Sequence, residues 1–151
     1  MGSAKGEGHG REELERLDDA GMSAWDTHDA DAWVEIFADD FVVRDWTVPE
    51  PIRDKDALRA YFNSWLGAFP DMHVKQIARV IGEDAVAAEL EFSGTNTGAM
   101  NMGGMEMPPT GRSIVGRGSY IAHVRDGKVV EFSAHPDAAG VMMQLGLMPP
   151  M

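Results

Sequence analysis

The sequence predicts an α+β fold, with its helices first and its sheet after them. Three observations carry this prediction. Apolar residues recur at helical spacing in three stretches between Arg11 and Leu66. From Met72 to Ala134 an alternation of period two takes over. The length, 151 residues, is that of one domain. Helices followed by a run of strands make a layer of helices packed on one face of an antiparallel sheet.

Met1 to Gly10 is Gly-rich and polar with no apolar core, so it is read as a disordered lead-in to a domain spanning 11–151. Residues 11 to 28 form the first helix, in which Leu14, Leu17, Met22 and Trp25 recur between charges. A second, short helix covers Asp31 to Ala38 and carries Trp33, Ile36 and Phe37. Phe41 to Thr47 is a strand, ended by the Pro49-Pro51 break. Asp54 caps a third helix running to Leu66, whose apolar stripe is Leu58, Tyr61, Phe62, Trp65 and Leu66.

Strands make up most of the remainder. Met72 to Ile81 turns at Gly82-Glu83-Asp84 into Ala85 to Gly94, where Ala88, Leu90 and Phe92 alternate with Glu89, Glu91 and Ser93. Arg112 to Arg125 is a long strand, and Arg125-Asp126-Gly127-Lys128 is the hairpin turn into the last one, Lys128 to Ala134. Between the middle strands, Gly98 to Pro109 holds four methionines among glycines and prolines. Such a segment suits a loop closing over a flat apolar ligand, or an oxidation-prone hairpin tip.

Composition narrows the function. A net charge of −12 excludes nucleic acid and anionic membranes as partners, because both need a basic face. No run approaches the ~18 apolar residues of a membrane span. The absence of cysteine removes thiolate chemistry and disulfides, and suits a cytoplasmic protein. The five histidines show no metal-ligand spacing, no glycine-rich loop is placed to cradle a nucleotide cofactor, and no serine sits in a nucleophile elbow. Acid–base chemistry by Asp and His in an apolar pocket, with neither metal nor cofactor, is what remains.

The last strand runs into His135-Pro136-Asp137, and a short helix follows, ended by Gly146. Asp137 at this strand-to-helix corner is a helix cap or a catalytic base. A base there must be buried against apolar walls, whereas a cap is held by backbone N–H groups. His135, two residues earlier, lies on the same strand face and can orient the carboxylate or polarise a carbonyl. Parity sets His123 and Arg117 together and opposite Tyr120, so these two reach a pocket that Tyr120 lines only if a bulge re-aims them.

The Asp126-Gly127-Lys128-Val129-Val130-Glu131 strand, the Pro-Asp corner and Gln144-Leu145-Gly146 resemble the SnoaL-like polyketide cyclases of the NTF2-like group. His28-Asp29-Ala30-Asp31-Ala32, Ala38-Asp39-Asp40-Phe41-Val42, Ala68-Phe69-Pro70-Asp71-Met72, Gly94-Thr95-Asn96-Thr97-Gly98 and Pro108-Pro109-Thr110-Gly111-Arg112 match in the same order. The resemblance implies an α+β cone: three N-terminal helices on a curved, mostly antiparallel sheet, a short C-terminal helix, and a homodimer through the sheet's outer face. It also implies a cofactor-free aldol ring closure of a polyketide-like substrate, with Asp137 as base, His135 as its partner and His123 as a further candidate. Trp33, Trp46, Phe92, Tyr120, Arg117 and Asp45 are the expected substrate contacts. Asp45 sits where the ketosteroid isomerase branch has a catalytic Asp in an Asp-Pro pair, although Trp46 follows it here. Two alternatives share the scaffold: a polyketide hydroxylase and a non-catalytic small-molecule-binding module. Epoxide opening is disfavoured, since Glu89-Leu90-Glu91 replaces the Arg-x-Asp of limonene-type hydrolases.

Overall fold

The computed structural model describes residues 10–102 and 105–149; of the expected lead-in only Gly10 falls within them. The elements in order are α1 (Arg11–Asp26), α2 (Ala30–Glu35), β1 (Phe37–Asp45), α3 (Lys55–Ala68), β2 (His73–Ile81), β3 (Ala85–Thr95), β4 (Met100–Met102), β5 (Met105–Met107), β6 (Ser113–Arg125), β7 (Lys128–Pro136) and α4 (Ala138–Gln144). Five strands form one sheet in the order β1-β7-β6-β3-β2, antiparallel except for the β1–β7 pair. Bulges in β1 and β2, and another where β6 meets β7, bend it. Among the described residues no helix is long and apolar enough to cross a membrane.

Local chemistry explains the boundaries. Asp29 caps α2 by accepting from the Ala32 N–H at 3.0 Å, and Asp54 caps α3 through Ala57 at 2.8 Å. His28, between α1 and α2, takes a left-handed φ of 64°, and its ring N–H donates to the Met72 carbonyl at 2.6 Å. This bond ties the helical layer to the start of β2. The β6–β7 hairpin turns on Asp126 and Gly127, both with positive φ, as a two-residue turn requires.

Two expected boundaries move. The second helix stops at Glu35 rather than Ala38, and β1 begins at Phe37 rather than Phe41. Tertiary pairing overrides helical spacing here, because Phe37 pairs with Val129 of β7 and its ring packs on Trp33, Phe41 and Phe132. The methionine segment is a two-stranded ribbon, Met100 pairing with Met107, and Gly103 and Gly104 at its tip lie outside the described residues.

α1, α2 and α3 cover the concave face of the sheet. One core cluster joins Leu14, Trp33, Leu58 and Phe62 to Val86, Val124 and Val129. A second, around Phe69, Phe92 and Ile114, seats α4 through Val141 and Leu145. Each fully buried apolar side chain contributes roughly 1.5–3 kcal/mol. α4 also covers a stretch of β6 that β7 does not reach. There the Gln144 side chain accepts from the Val115 N–H at 2.7 Å and donates to its carbonyl at 2.9 Å, standing in for a strand.

Candidate active site

β6 alternates strictly, and its even-numbered residues face the helices. Two of these are glycines, for a steric reason. A Cβ at Gly116 would sit 2.5 Å from the Phe92 ring, and one at Gly118 would press on the Pro136 backbone at 3.2 Å. The strand is thin there, which seats Phe92 and leaves space beside Gly118. The result is a cavity between α1, α3 and the concave sheet, walled by Trp25, Trp33, Trp65, Phe92 and Phe132 among others.

Only three titratable side chains line this cavity among the described residues: Asp18, Tyr61 and Tyr120. Asp18 belongs to the inward stripe of α1, one turn after Leu14 and seven residues before Trp25. The Tyr120 hydroxyl donates to its Oδ1 at 2.5 Å. Its Oδ2 accepts from Gln76 Nε2 at 2.9 Å and from Arg79 Nη1 at 3.1 Å. The Asp18 side chain is only 5% exposed, so its charge depends on these donors. Arg79 is shared with Asp19 at 2.7 Å and Glu15 at 3.8 Å.

A second tyrosine repeats the arrangement. Tyr61 donates to Asp45 Oδ2 at 2.6 Å, and Asp45 Oδ1 accepts from the Thr47 N–H at 2.8 Å and the Thr47 hydroxyl at 2.6 Å. Asp45 is 2% exposed and stands behind Tyr61 rather than in the cavity wall. Burial pushes the Tyr61 phenol well above its ordinary value, and the Asp45 charge adds to the shift. Tyr120 is raised in the same way, by burial first and by Asp18 next. Both phenols therefore keep their protons at any working pH.

The expected residues divide in two. Trp33, Phe92 and Tyr120 are buried and line the cavity as anticipated. Asp45 is buried but reaches it only through Tyr61. The remaining five are on other surfaces. Asp137 is exposed and caps α4, its Oδ1 accepting from the Gly140 N–H at 2.9 Å. His135 is exposed and stacks on Trp46 with ring centroids 6.3 Å apart. Trp46 is 63% exposed and donates to Ser133 Oγ instead of walling the cavity. His123 and Arg117 point outward with the odd residues of β6, Arg117 pairing with Glu91 at 3.5 Å. The bulge that would re-aim them is absent, because β6 stays in register with β3 from Ser113 to His123. Met100, Met105 and Met107 of the ribbon do not line the cavity either.

Sequence reasoning missed Asp18, Gln76 and Arg79, and read Tyr61 only as part of an apolar stripe. A carboxylate inside the apolar stripe of α1 was the available signal.

Among curated proteins none matches the chain. Among solved structures, AclR, a proposed hydroxylase from Streptomyces galilaeus, superposes with a TM-score of 0.80 at 22% identity, over 94% of this chain and 86% of that one. A proposed SnoaL-like polyketide cyclase from Jannaschia sp. CCS1 gives 0.75 at 23% identity, over 92% of each chain. IdmH, a proposed polyketide cyclase from Streptomyces antibioticus, gives 0.71 at 25% identity, over 88% of this chain and 98% of that one. These likenesses are of fold. The family model described as SnoaL-like polyketide cyclase matches residues 15–145, from the first helical turns through α4. By that match the chain belongs to the SnoaL-like polyketide cyclase family.

Proposed function

We propose that the protein closes a ring by intramolecular aldol condensation of a bulky, apolar, polycyclic polyketide, using acid–base groups of its own chain. The observation that carries this reading is Asp18, the one carboxylate in the cavity wall among the described residues, bonded to the Tyr120 hydroxyl. The hydroxyl proton of the enol form of a substrate β-dicarbonyl passes to the Tyr120 oxygen while the Tyr120 proton passes to Asp18. The resulting enolate carbon bonds to a ketone carbon of the same molecule. The π pair of that ketone moves to its oxygen, and the alkoxide takes the proton back along the same path. Nothing is oxidised, and the product is an isomer of the substrate. Arg79 and Gln76 position Asp18 throughout. In this reading Asp137 holds α4, and the base expected at the corner is found across the cavity instead. The homodimer expected through the outer sheet face would cover Val80, Ile121 and Trp46, all exposed in the single chain; sedimentation velocity measures it.

The test is turnover of a tricyclic polyketide bearing an uncyclised β-keto ester side chain. The wild type should yield a product of unchanged mass with one ring more, and Asp18→Asn should cut the rate by about 10²-fold or more. A product heavier by one oxygen, formed only with dioxygen and a reductant, would move the protein to the hydroxylase reading. Binding without any product would leave the ligand-binding module. An Asp18→Asn variant that cyclises at the wild-type rate would remove the proposed base.

A further inference from the structure

The two tyrosines say more about the ligand than about the reaction. Each donates its one hydroxyl proton to a carboxylate. Gln76 Nε2 donates to the Tyr120 oxygen at 3.1 Å, and the Tyr120 hydroxyl donates onward to Asp18. The Tyr61 hydroxyl likewise donates to Asp45, at 2.6 Å. An ionised carboxylate has no proton to offer, and a phenol has one. Both phenolic protons are thus committed to carboxylates. Asp18 itself can only accept. What these groups can still offer a ligand is lone pairs.

We infer that the cavity selects a ligand by the hydroxyl protons it brings: an aromatic polyketide carrying at least two free phenol or enol hydroxyls at separated positions, one for Tyr120 and Asp18 and one for Tyr61. The separation follows from the rings between the two poles. Tyr61 lies 6.2 Å from Trp33, Trp33 lies 5.8 Å from Phe132, and Phe132 lies 5.2 Å from Tyr120, centroid to centroid. Two aromatic side chains therefore stand between the poles, and a rigid ring skeleton laid along them reaches both. A capped hydroxyl, as an ether or a glycoside, brings no proton and adds bulk at the pole. The enzyme consequently acts before any alkyl or glycosyl transfer to those hydroxyls. This rests on the cavity being the substrate site, as proposed above, and it makes the enol form of the β-dicarbonyl the species that meets Tyr120.

Equilibrium binding tests it without turnover. Anthraflavic acid is a planar tricyclic quinone with one phenol at each end, and its mono- and dimethyl ethers remove those protons one at a time. By isothermal titration at mildly acidic pH, where both phenols keep their protons, the diol should bind the wild type about tenfold tighter than the dimethyl ether, with the monomethyl ether between. Tyr61→Phe should bring the diol down to about the affinity of the monomethyl ether. Equal affinities across the series, tighter binding of an ether, or no binding of any of the three would overturn the inference. So would a Tyr61→Phe variant, folded by circular dichroism, that keeps the full preference. Should that variant not fold, the ether series on the wild type decides alone. A flat series beside an intact loss of turnover in Asp18→Asn would end this inference and leave the proposed reaction standing.

Discussion

Asp18 and Asp137 are both carboxylates held by hydrogen bonds, yet they belong to different regions and different kinds of structure. Asp137 accepts from Gly140, three residues along the chain, at an exposed corner. Asp18 accepts from Tyr120, 102 residues away, and from Gln76 and Arg79 on a third element, inside the molecule. The corner is built by local backbone rules and survives wherever a strand runs into a helix. The inner site exists only when α1, β2 and β6 are packed together. Chemistry in this protein is thus predicted where the fold is most non-local, and that contrast can be broken or sharpened by experiment.

The largest effect concerns packing. Trp33 is 1% exposed and touches Trp25, Tyr61, Phe62 and Phe132, whereas Trp46 is 63% exposed on the outer surface. Trp33→Ala should cost about 3–5 kcal/mol in urea unfolding, and Trp46→Ala about 0.5–1 kcal/mol. Similar costs for the two would mean that the inner wall is not the stabilising region. Next comes turnover: the hundredfold loss expected for Asp18→Asn corresponds to about 2.7 kcal/mol of transition-state stabilisation. Asp137→Asn should change the rate by less than about threefold, because Asn caps a helix as well as Asp does. The reverse ranking would return catalysis to the corner.

A third effect separates inside from outside by pH. The chain has two tyrosines, Tyr61 and Tyr120, and both are buried beside carboxylates. In the unfolded chain each phenol loses its proton near about pH 10, while in the folded protein it keeps it. Above that pH the unfolded state binds fewer protons than the folded state, so stability falls as pH rises. The slope is at most about 1.4 kcal/mol per tyrosine for each pH unit, and below about pH 10 the contribution is fully present. Tyrosinate absorbance should therefore appear only together with loss of the far-ultraviolet signal. Titration of either phenol in the folded protein near pH 10 would contradict the two Tyr–Asp pairs.

The same division between local and non-local explains what could be read in advance. Period and capping gave the helices and strands, and the parity of β6 set Arg117 and His123 opposite Tyr120. Asp54 and the Asp126-Gly127 turn were legible because each acts on neighbours within a few residues. The end of α2 was not, since pairing of Phe37 with Val129 decides it from 92 residues away. Asp18 was missed for a related reason. It reads as one of several acids on a charged helix, and only Gln76, Arg79 and Tyr120 arriving from the sheet make it a buried site. The Pro-Asp corner drew attention because it is contiguous, which is the property of a cap.

The smallest effect tests that last point. If Asp137 works only as the N-cap of α4, removing its side-chain acceptor should cost what a lost cap costs, about 1 kcal/mol for Asp137→Ala and near zero for Asp137→Asn. α4 is short, and Val141, Leu145 and the two Gln144 bonds to Val115 also hold it, so the helix should stay docked in both variants. Hydrogen exchange at the Gly140 amide should quicken in Asp137→Ala, since that amide loses its partner, while exchange at Val115 should hardly change. An Asp137→Ala variant that keeps its turnover while losing this small increment of stability puts the corner on the structural side of the comparison. One that loses turnover at undiminished stability puts it on the catalytic side, and the cavity pair would then need a different role.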